Sequence, residues 1–132
     1  MKDVLKGFHA VAAWLLVAVI VAQVLLAGLA MANLGGDGNF GLHVEFGYTA
    51  VGLAALAVVI GAVLAGSPRR ETAFALGLLL LYFLQTALPT LRTSLPAAAA
   101  LHPVGALLLF GLAVWYARRA QRHFAFRLAD RP

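Results

Sequence analysis

Two histidines, His43 and His102, offer the clearest chemistry in the sequence. Each follows a leucine, and each lies near the start of a strongly apolar segment. An imidazole inside a bilayer is costly, so it usually faces the interior of a helix bundle and carries a function. Two imidazoles at matching depth on different helices can bind the metal of one flat ring from both sides, as in bis-histidine haem proteins. The pair therefore predicts a haem b site with His43 and His102 as iron ligands.

The composition fixes the class of protein that must position these residues. The chain has 132 residues, of which 63% are hydrophobic and 11% charged, and its mean hydropathy is +0.92. Such values are typical of a small integral membrane protein rather than a soluble domain. The sequence contains no cysteine, which excludes disulfides, thiolate zinc sites, iron–sulfur clusters and covalent c-type haem attachment.

Four apolar segments cover about residues 8–32, 40–64, 72–91 and 97–117. Each approaches or exceeds the roughly 20 residues that a helix needs to cross a bilayer. The breaks between them are short and rich in glycine, serine and proline, which favours antiparallel neighbours. We therefore predict an all-α fold, an integral membrane four-helix antiparallel bundle with up-down-up-down topology. Residues 1–117 form one transmembrane domain in this interpretation, and residues 118–132 form a basic cytoplasmic or interfacial tail.

The basic residues are distributed unevenly between the two predicted faces. Arg92 lies on one face, and the other nine basic residues lie on the opposite face: Lys2, Lys6, Arg69, Arg70, Arg118, Arg119, Arg122, Arg127 and Arg131. Cytoplasmic loops carry the excess of Lys and Arg, so we expect both termini on the cytoplasmic side of the inner (plasma) membrane. The net charge of +5 is split among membrane-flanking sites and does not indicate nucleic-acid binding.

An internal repeat relates the two halves of the chain. A helix containing Gln23 is followed by an outer loop and His43, and a helix containing Gln85 is followed by an outer loop and His102. Two helix hairpins of equal topology would be related by a pseudo-two-fold axis along the membrane normal. Such an axis would make the two imidazoles face each other across the bundle. The glutamines are expected to link helices by hydrogen bonds and to line the pocket secondarily.

Three further residues complete the predicted cofactor-binding set. Small residues one turn beyond each histidine, Gly47 and Ala106, would allow a porphyrin to approach the helix closely. Arg92 would neutralise a haem propionate at the outer surface. The alternative interpretation treats each histidine as an interfacial residue hydrogen-bonded to a backbone carbonyl, with no metal.

The chain resembles one four-helix half of heme A synthase. The resemblance rests on Gln23-x-x-Leu-Ala-Gly28, Leu42-His43-x-x-x-Gly47-Tyr48, Gln85-x-x-Leu88 and Leu101-His102-x-x-x-Ala106. It implies a four-helix bundle with haem-binding histidines on the second and fourth helices. The chain departs from that family because it has one half only, Val44 follows His43 in place of an arginine, and the outer loop lacks a cysteine pair and a glutamate-before-histidine pattern. These departures argue against synthesis of haem A. The chain is also similar to a small family of uncharacterised bacterial four-helix membrane proteins with the same Leu-His-Pro ending.

Three function classes follow from these patterns. The first is a haem b-binding membrane protein used in electron transfer, haem handling or redox sensing. The second is a non-haem assembly or interaction subunit. The third is a small transporter, which is less favoured because no carboxylate lies in the middle of a span. Whether the protein is an enzyme stays open, although electron transfer or haem carriage fits better. One haem near one face would require a quinone or a redox partner protein, and runs of small residues could pack against a second copy in a homo-oligomer.

Overall fold

A computed structural model describes residues 2–32 and 39–129 of the chain. Its elements are α1 (Lys2–Met31), α2 (Gly41–Leu64), α3 (Arg69–Leu91), a one-turn helix (Pro96–Ala99) and α4 (His102–Ala129). The last turn of α3, Leu88–Leu91, is a 3₁₀ helix. Most of the predicted outer loop at residues 35–41 and the last three residues of the predicted tail lie outside the described residues.

The helices form an all-helical bundle whose four long members match the four predicted segments. Each is long and apolar enough to cross a membrane, and its mean hydropathy over 18 residues lies between 1.7 and 2.6. Contacts between chain-distant ends show that consecutive helices run antiparallel: Gln23 meets His43, and Arg119 meets Glu71. The helices α1 and α3 each pack against both α2 and α4. The two histidine-bearing helices therefore lie diagonally across the bundle.

The helix limits differ from the sequence prediction at several places: α1 begins at Lys2 rather than near residue 8, α3 begins at Arg69 rather than near residue 72, and the fourth segment differs at both ends. The fourth segment is not one helix over residues 97–117, because the chain turns at Ala100 and Leu101 before α4 begins at His102. Pro103 lacks a backbone N–H and is best tolerated in the first turn of a helix, which is where it lies in α4. At its other end α4 continues past residue 117 to Ala129 without a break, so the predicted tail starts as part of the same helix.

The tightly packed core occupies the end of the bundle that we call the arginine end, where α1 and α3 begin and α2 and α4 finish. Its fully buried side chains include Leu16, Val58, Leu78 and Tyr116, surrounded by many alanines. Small residues allow helix backbones to approach closely in a membrane. At Gly61, an added Cβ would lie 3.1 Å from the Cα of His9, so α1 and α2 nearly touch there.

The opposite end, which we call the histidine end, is packed much less tightly. Among the described residues, no side chain of α1 beyond Ile20 is buried, and no side chain of α4 before Leu109 is buried. The buried residues described toward this end lie on α2 and α3, namely Gly47, Val51, Tyr82, Gln85 and Leu88. More side chains are therefore buried at the arginine end than around the histidines.

Candidate functional site

The structure brings His43 and His102 together across the diagonal of the bundle. Their ring centroids are 6.4 Å apart, and the ring planes are nearly perpendicular, at 84°. His43 is the third residue of α2 and His102 is the first residue of α4, so the starts of two helices deliver the rings to the same level. Both side chains are half-buried. The sequence-based expectation that the rings face each other across the bundle agrees with this geometry.

Both imidazoles are held by the same bond, in which a ring nitrogen meets the backbone carbonyl of a glutamine. The Nδ1 atom of His43 lies 3.0 Å from the carbonyl oxygen of Gln23, and the Nδ1 atom of His102 lies 3.0 Å from that of Gln85. A carbonyl oxygen only accepts, so each Nδ1 must carry the proton and donate. In a neutral imidazole this leaves Nε2 with a lone pair, which is the form that binds a metal.

These carbonyl bonds are also what the interfacial interpretation of the histidines expects, so they do not by themselves distinguish it from a metal site. The two interpretations differ at Nε2, the second ring nitrogen. A purely structural histidine needs no free lone pair there, whereas a ligand does. The matched pairing of both rings is the more specific observation, because one carbonyl-bound histidine could arise alone but two at one diagonal are unusual.

The glutamine side chains differ in their surroundings. The Gln23 amide nitrogen donates to the His43 carbonyl at 2.8 Å and lies 3.2 Å from the His43 Nε2 atom. Its amide oxygen is buried without a hydrogen-bond partner among the described residues. The Gln85 side chain is 6% exposed, and within the described part of the chain neither its amide nitrogen nor its amide oxygen has a partner. Buried polar atoms normally find partners, so these two side chains stand out among the described residues.

Two glycines lie directly against these amides, so the space beside each glycine is filled by a glutamine side chain. An ideal Cβ at Gly47 would lie 2.7 Å from the Gln23 amide nitrogen, and one at Gly105 would lie 1.9 Å from the Gln85 amide nitrogen. The expected close approach at Gly47 therefore exists, but its occupant in the structure is a glutamine side chain. In the second half of the chain the close approach is at Gly105, while the neighbouring Ala106 is half-buried.

A π-helical turn, Gly47–Val51, follows the first histidine inside α2. A π turn inserts one extra residue into an α-helix and leaves a backbone carbonyl to find another partner. The buried hydroxyl of Tyr82 on α3 donates to the Gly47 carbonyl at 3.2 Å. Such turns are frequent at functional sites, and the hydropathy pattern gave no signal for this one. The glycine four residues after His43 was the available clue.

The remaining predicted site residue, Arg92, lies at the histidine end in the turn that follows α3, with an exposed side chain. Its position agrees with a role at the surface of the site, although no contact to the histidines is described. Glu45, two residues after His43, is exposed. Phe40, which sequence reasoning did not single out, packs its ring edge-on against His43 at 5.9 Å.

A second polar cluster lies at the arginine end and joins α1, α3 and α4. The His9 Nε2 atom is 3.0 Å from the Tyr116 hydroxyl oxygen, and that hydroxyl donates to the Glu71 carbonyl at 3.3 Å. The Arg119 guanidinium donates to the Glu71 carboxylate. We call these four residues the polar clamp. His9, Glu71 and Tyr116 are all buried, and sequence reasoning had assigned no partner to His9 and no role to Glu71.

The donor set at the histidine end consists of two imidazoles. Among the described residues, no group of three or more His, Cys, Asp or Glu side chains could hold a metal ion together. Two imidazoles are fewer than the three or four protein ligands of a typical zinc site. They suffice for a metal whose other positions are filled by a macrocycle.

Comparisons with known proteins place part of this site within a family. No curated protein and no solved structure matches the chain significantly. Residues 23–91 match the Family of unknown function (DUF6220). The match includes both glutamines, His43 and Gly47, and it ends before Arg92, His102 and Ala106. Because the matched residues make up just over half of the sequence, the chain belongs to the Family of unknown function (DUF6220).

Proposed function

We propose that this protein is a small membrane cytochrome that binds one haem b between His43 and His102. The observation that carries the proposal is the distance between the two rings. Imidazoles that bind one metal ion from opposite sides, at about 2.0 Å per metal–nitrogen bond, have ring centres about 6.3 Å apart. The observed separation is 6.4 Å, which matches that spacing of ring centres.

Three further observations support a flat, largely apolar ligand at this position. The Nδ1–H groups of both rings are committed to backbone carbonyls, which fixes the tautomer that a metal requires. The histidine end is the loosely packed end of the bundle. Three buried amide atoms of Gln23 and Gln85 lack partners within the described residues. Leaving a buried polar group without a hydrogen bond costs roughly 1–3 kcal/mol. A bound ligand that rearranged these amides would relieve that deficit.

Haem held by His43 and His102 would supply one-electron chemistry. The residues of the chain then bind and orient it: His43 and His102 as ligands, and Arg92 as the positive charge for a propionate at the surface. We place both termini on the cytoplasmic side of the inner membrane, with the site near the outer face. Electron exchange would use a quinone or a redox partner protein.

The test is the visible spectrum and haem content of the purified protein after expression in a haem-replete cell. Wild type should contain one haem b per chain, measured by the pyridine hemochrome assay, with a low-spin spectrum. His43→Ala and His102→Ala should each lose most of the haem or become high-spin. Since the rings are nearly perpendicular, at 84°, the ferric form should give the strongly anisotropic low-spin EPR signal of perpendicular axial imidazoles.

Two controls separate ligation from folding. His9→Ala removes a buried imidazole from the polar clamp, far from the pair, and should leave haem per folded chain unchanged. His43→Gly opens a space that free imidazole can enter, so added imidazole should restore the low-spin spectrum. Equal haem content in wild type and the His43→Ala/His102→Ala double variant would refute the proposal and favour the assembly-subunit alternative.

A further inference from the structure

The two halves of the histidine site are alike in their anchoring bonds but differ at the nitrogen that would bind iron. In the first half, the Gln23 amide nitrogen lies 3.2 Å from the His43 Nε2 atom. Since Nδ1 of that ring carries the proton, Nε2 accepts from the amide N–H, and its lone pair is already used. In the second half, no described side chain bonds to Nε2 of His102, whose ring is anchored only through Nδ1.

The equivalent amide in the second half is turned elsewhere. The Gln85 amide lies against Gly105, where an ideal Cβ would be 1.9 Å from its nitrogen. The Gln23 amide lies close to Gly47 but also reaches both the carbonyl and the ring of His43. The pseudo-symmetric pair of glutamines thus caps one histidine and leaves the other uncapped.

We infer that Gln23 gates the binding of iron by His43, and that His102 is the ligand available first. The inference rests on the proposed haem site and states the order in which the two histidines bind the iron. One lone pair cannot accept a proton donor and bind a metal at once. Iron can therefore meet His102 directly, whereas His43 binds only after the Gln23 amide turns away. Gln23 acts here as a positioning residue, since it reaches the metal only through His43.

The gate gives the site two coordination states, one with a single histidine ligand and one with both. A net hydrogen bond of ordinary strength favours the capped state by roughly threefold to tenfold. That factor is small enough to be overcome by an iron–imidazole bond and large enough to slow the second ligation measurably. A ligand that enters and leaves through the single-histidine state would suit a protein that passes haem on.

Stopped-flow mixing of the haem-free protein with hemin in detergent tests the order. Wild type should show two phases, a first with a five-coordinate high-spin spectrum and a second with a low-spin spectrum. Gln23→Leu removes the capping N–H but keeps the backbone carbonyl that holds His43 Nδ1, so it should accelerate the second phase roughly threefold to tenfold. Gln121→Leu is the matched control, because it makes the same chemical change at the arginine end, where the Gln121 amide oxygen accepts from Trp14, and it should leave that rate unchanged. His43→Ala should show the first phase only, and His102→Ala should lose the fast first phase.

A readout without haem tests the capping bond itself. In the ¹⁵N spectrum of haem-free protein, Nε2 of His43 should show the shift of a hydrogen-bonded lone pair and Nε2 of His102 that of a free one. Gln23→Leu should make the two alike. Equivalent Nε2 signals in wild type, or an unchanged second phase in Gln23→Leu, would overturn the gate while leaving the haem site standing. A wild-type protein that binds no hemin would overturn both proposals.

Discussion

Removal of one hydroxyl from the polar clamp should measurably destabilise the bundle. Tyr116 is 1% exposed, and its hydroxyl joins His9 and Glu71 at 3.0 and 3.3 Å. Hydrogen bonds between membrane helices contribute about 0.6 kcal/mol on average and up to about 1.7 kcal/mol. Two such bonds lost together give an expected destabilisation of about 1–3 kcal/mol for Tyr116→Phe. The aromatic ring would keep its stacking on Phe74, with ring centroids 5.7 Å apart and ring planes at 4°. The change in the free energy of unfolding therefore reports on the hydroxyl alone.

The assay is equilibrium unfolding in mixed detergent micelles, followed by helical circular dichroism. Tyr48→Phe is the matched control, because it makes the same chemical change on a side chain that is 56% exposed. We expect its free energy of unfolding to stay within about 0.5 kcal/mol of wild type, as for most surface substitutions. If Tyr116→Phe were as stable as Tyr48→Phe, the clamp would be a by-product of packing, and the role assigned to its bonds would be wrong.

Three further predictions address packing, topology and the gate. Gly61→Leu should destabilise the protein by about 1–3 kcal/mol in the same unfolding assay, because the backbone of α1 lies 3.1 Å from the ideal Cβ and cannot move aside cheaply; wild-type stability would contradict this contact. Single cysteines at Asn39 and Ser67, introduced into a chain with no cysteine of its own, should react with impermeant maleimide from opposite sides of the membrane, and labelling from one side would reject the topology. Gly47→Ala places a methyl group 2.7 Å from the Gln23 amide, so it should displace that amide and reproduce the faster second ligation phase; a wild-type rate would show that the amide tolerates the methyl group without leaving its partner.

Periodicity and hydropathy were enough to predict the four helices and the diagonal pairing of the histidines. Long apolar segments separated by short turns leave few arrangements other than an antiparallel bundle. The repeat of glutamine, outer loop and histidine then placed both imidazoles at one end of that bundle. These features follow from local sequence patterns and from the order of the helices, and a single sequence contains both.

The details of the site depend on contacts that no local pattern encodes. The alternative interpretation expected each imidazole to bond to a backbone carbonyl, but the sequence does not say which carbonyl, because backbone atoms are alike in every residue. The π turn at Gly47–Val51 is stabilised from another helix by Tyr82, so it appears only once α2 and α3 are packed together. The break at Ala100 and Leu101 lies inside the apolar segment 97–117, where hydropathy alone gave no sign of it.

The unequal packing of the two ends links the fold to the proposed chemistry. A bundle of four helices needs one end that fixes their spacing, and the alanine-rich core with the polar clamp provides it at the arginine end. The histidine end can then remain open without loss of the overall arrangement, because α2 and α4 are already held diagonally by the shared packing on α1 and α3. In the proposed haem site, a ligand between His43 and His102 would therefore meet side chains on helices whose spacing is set by packing at the arginine end.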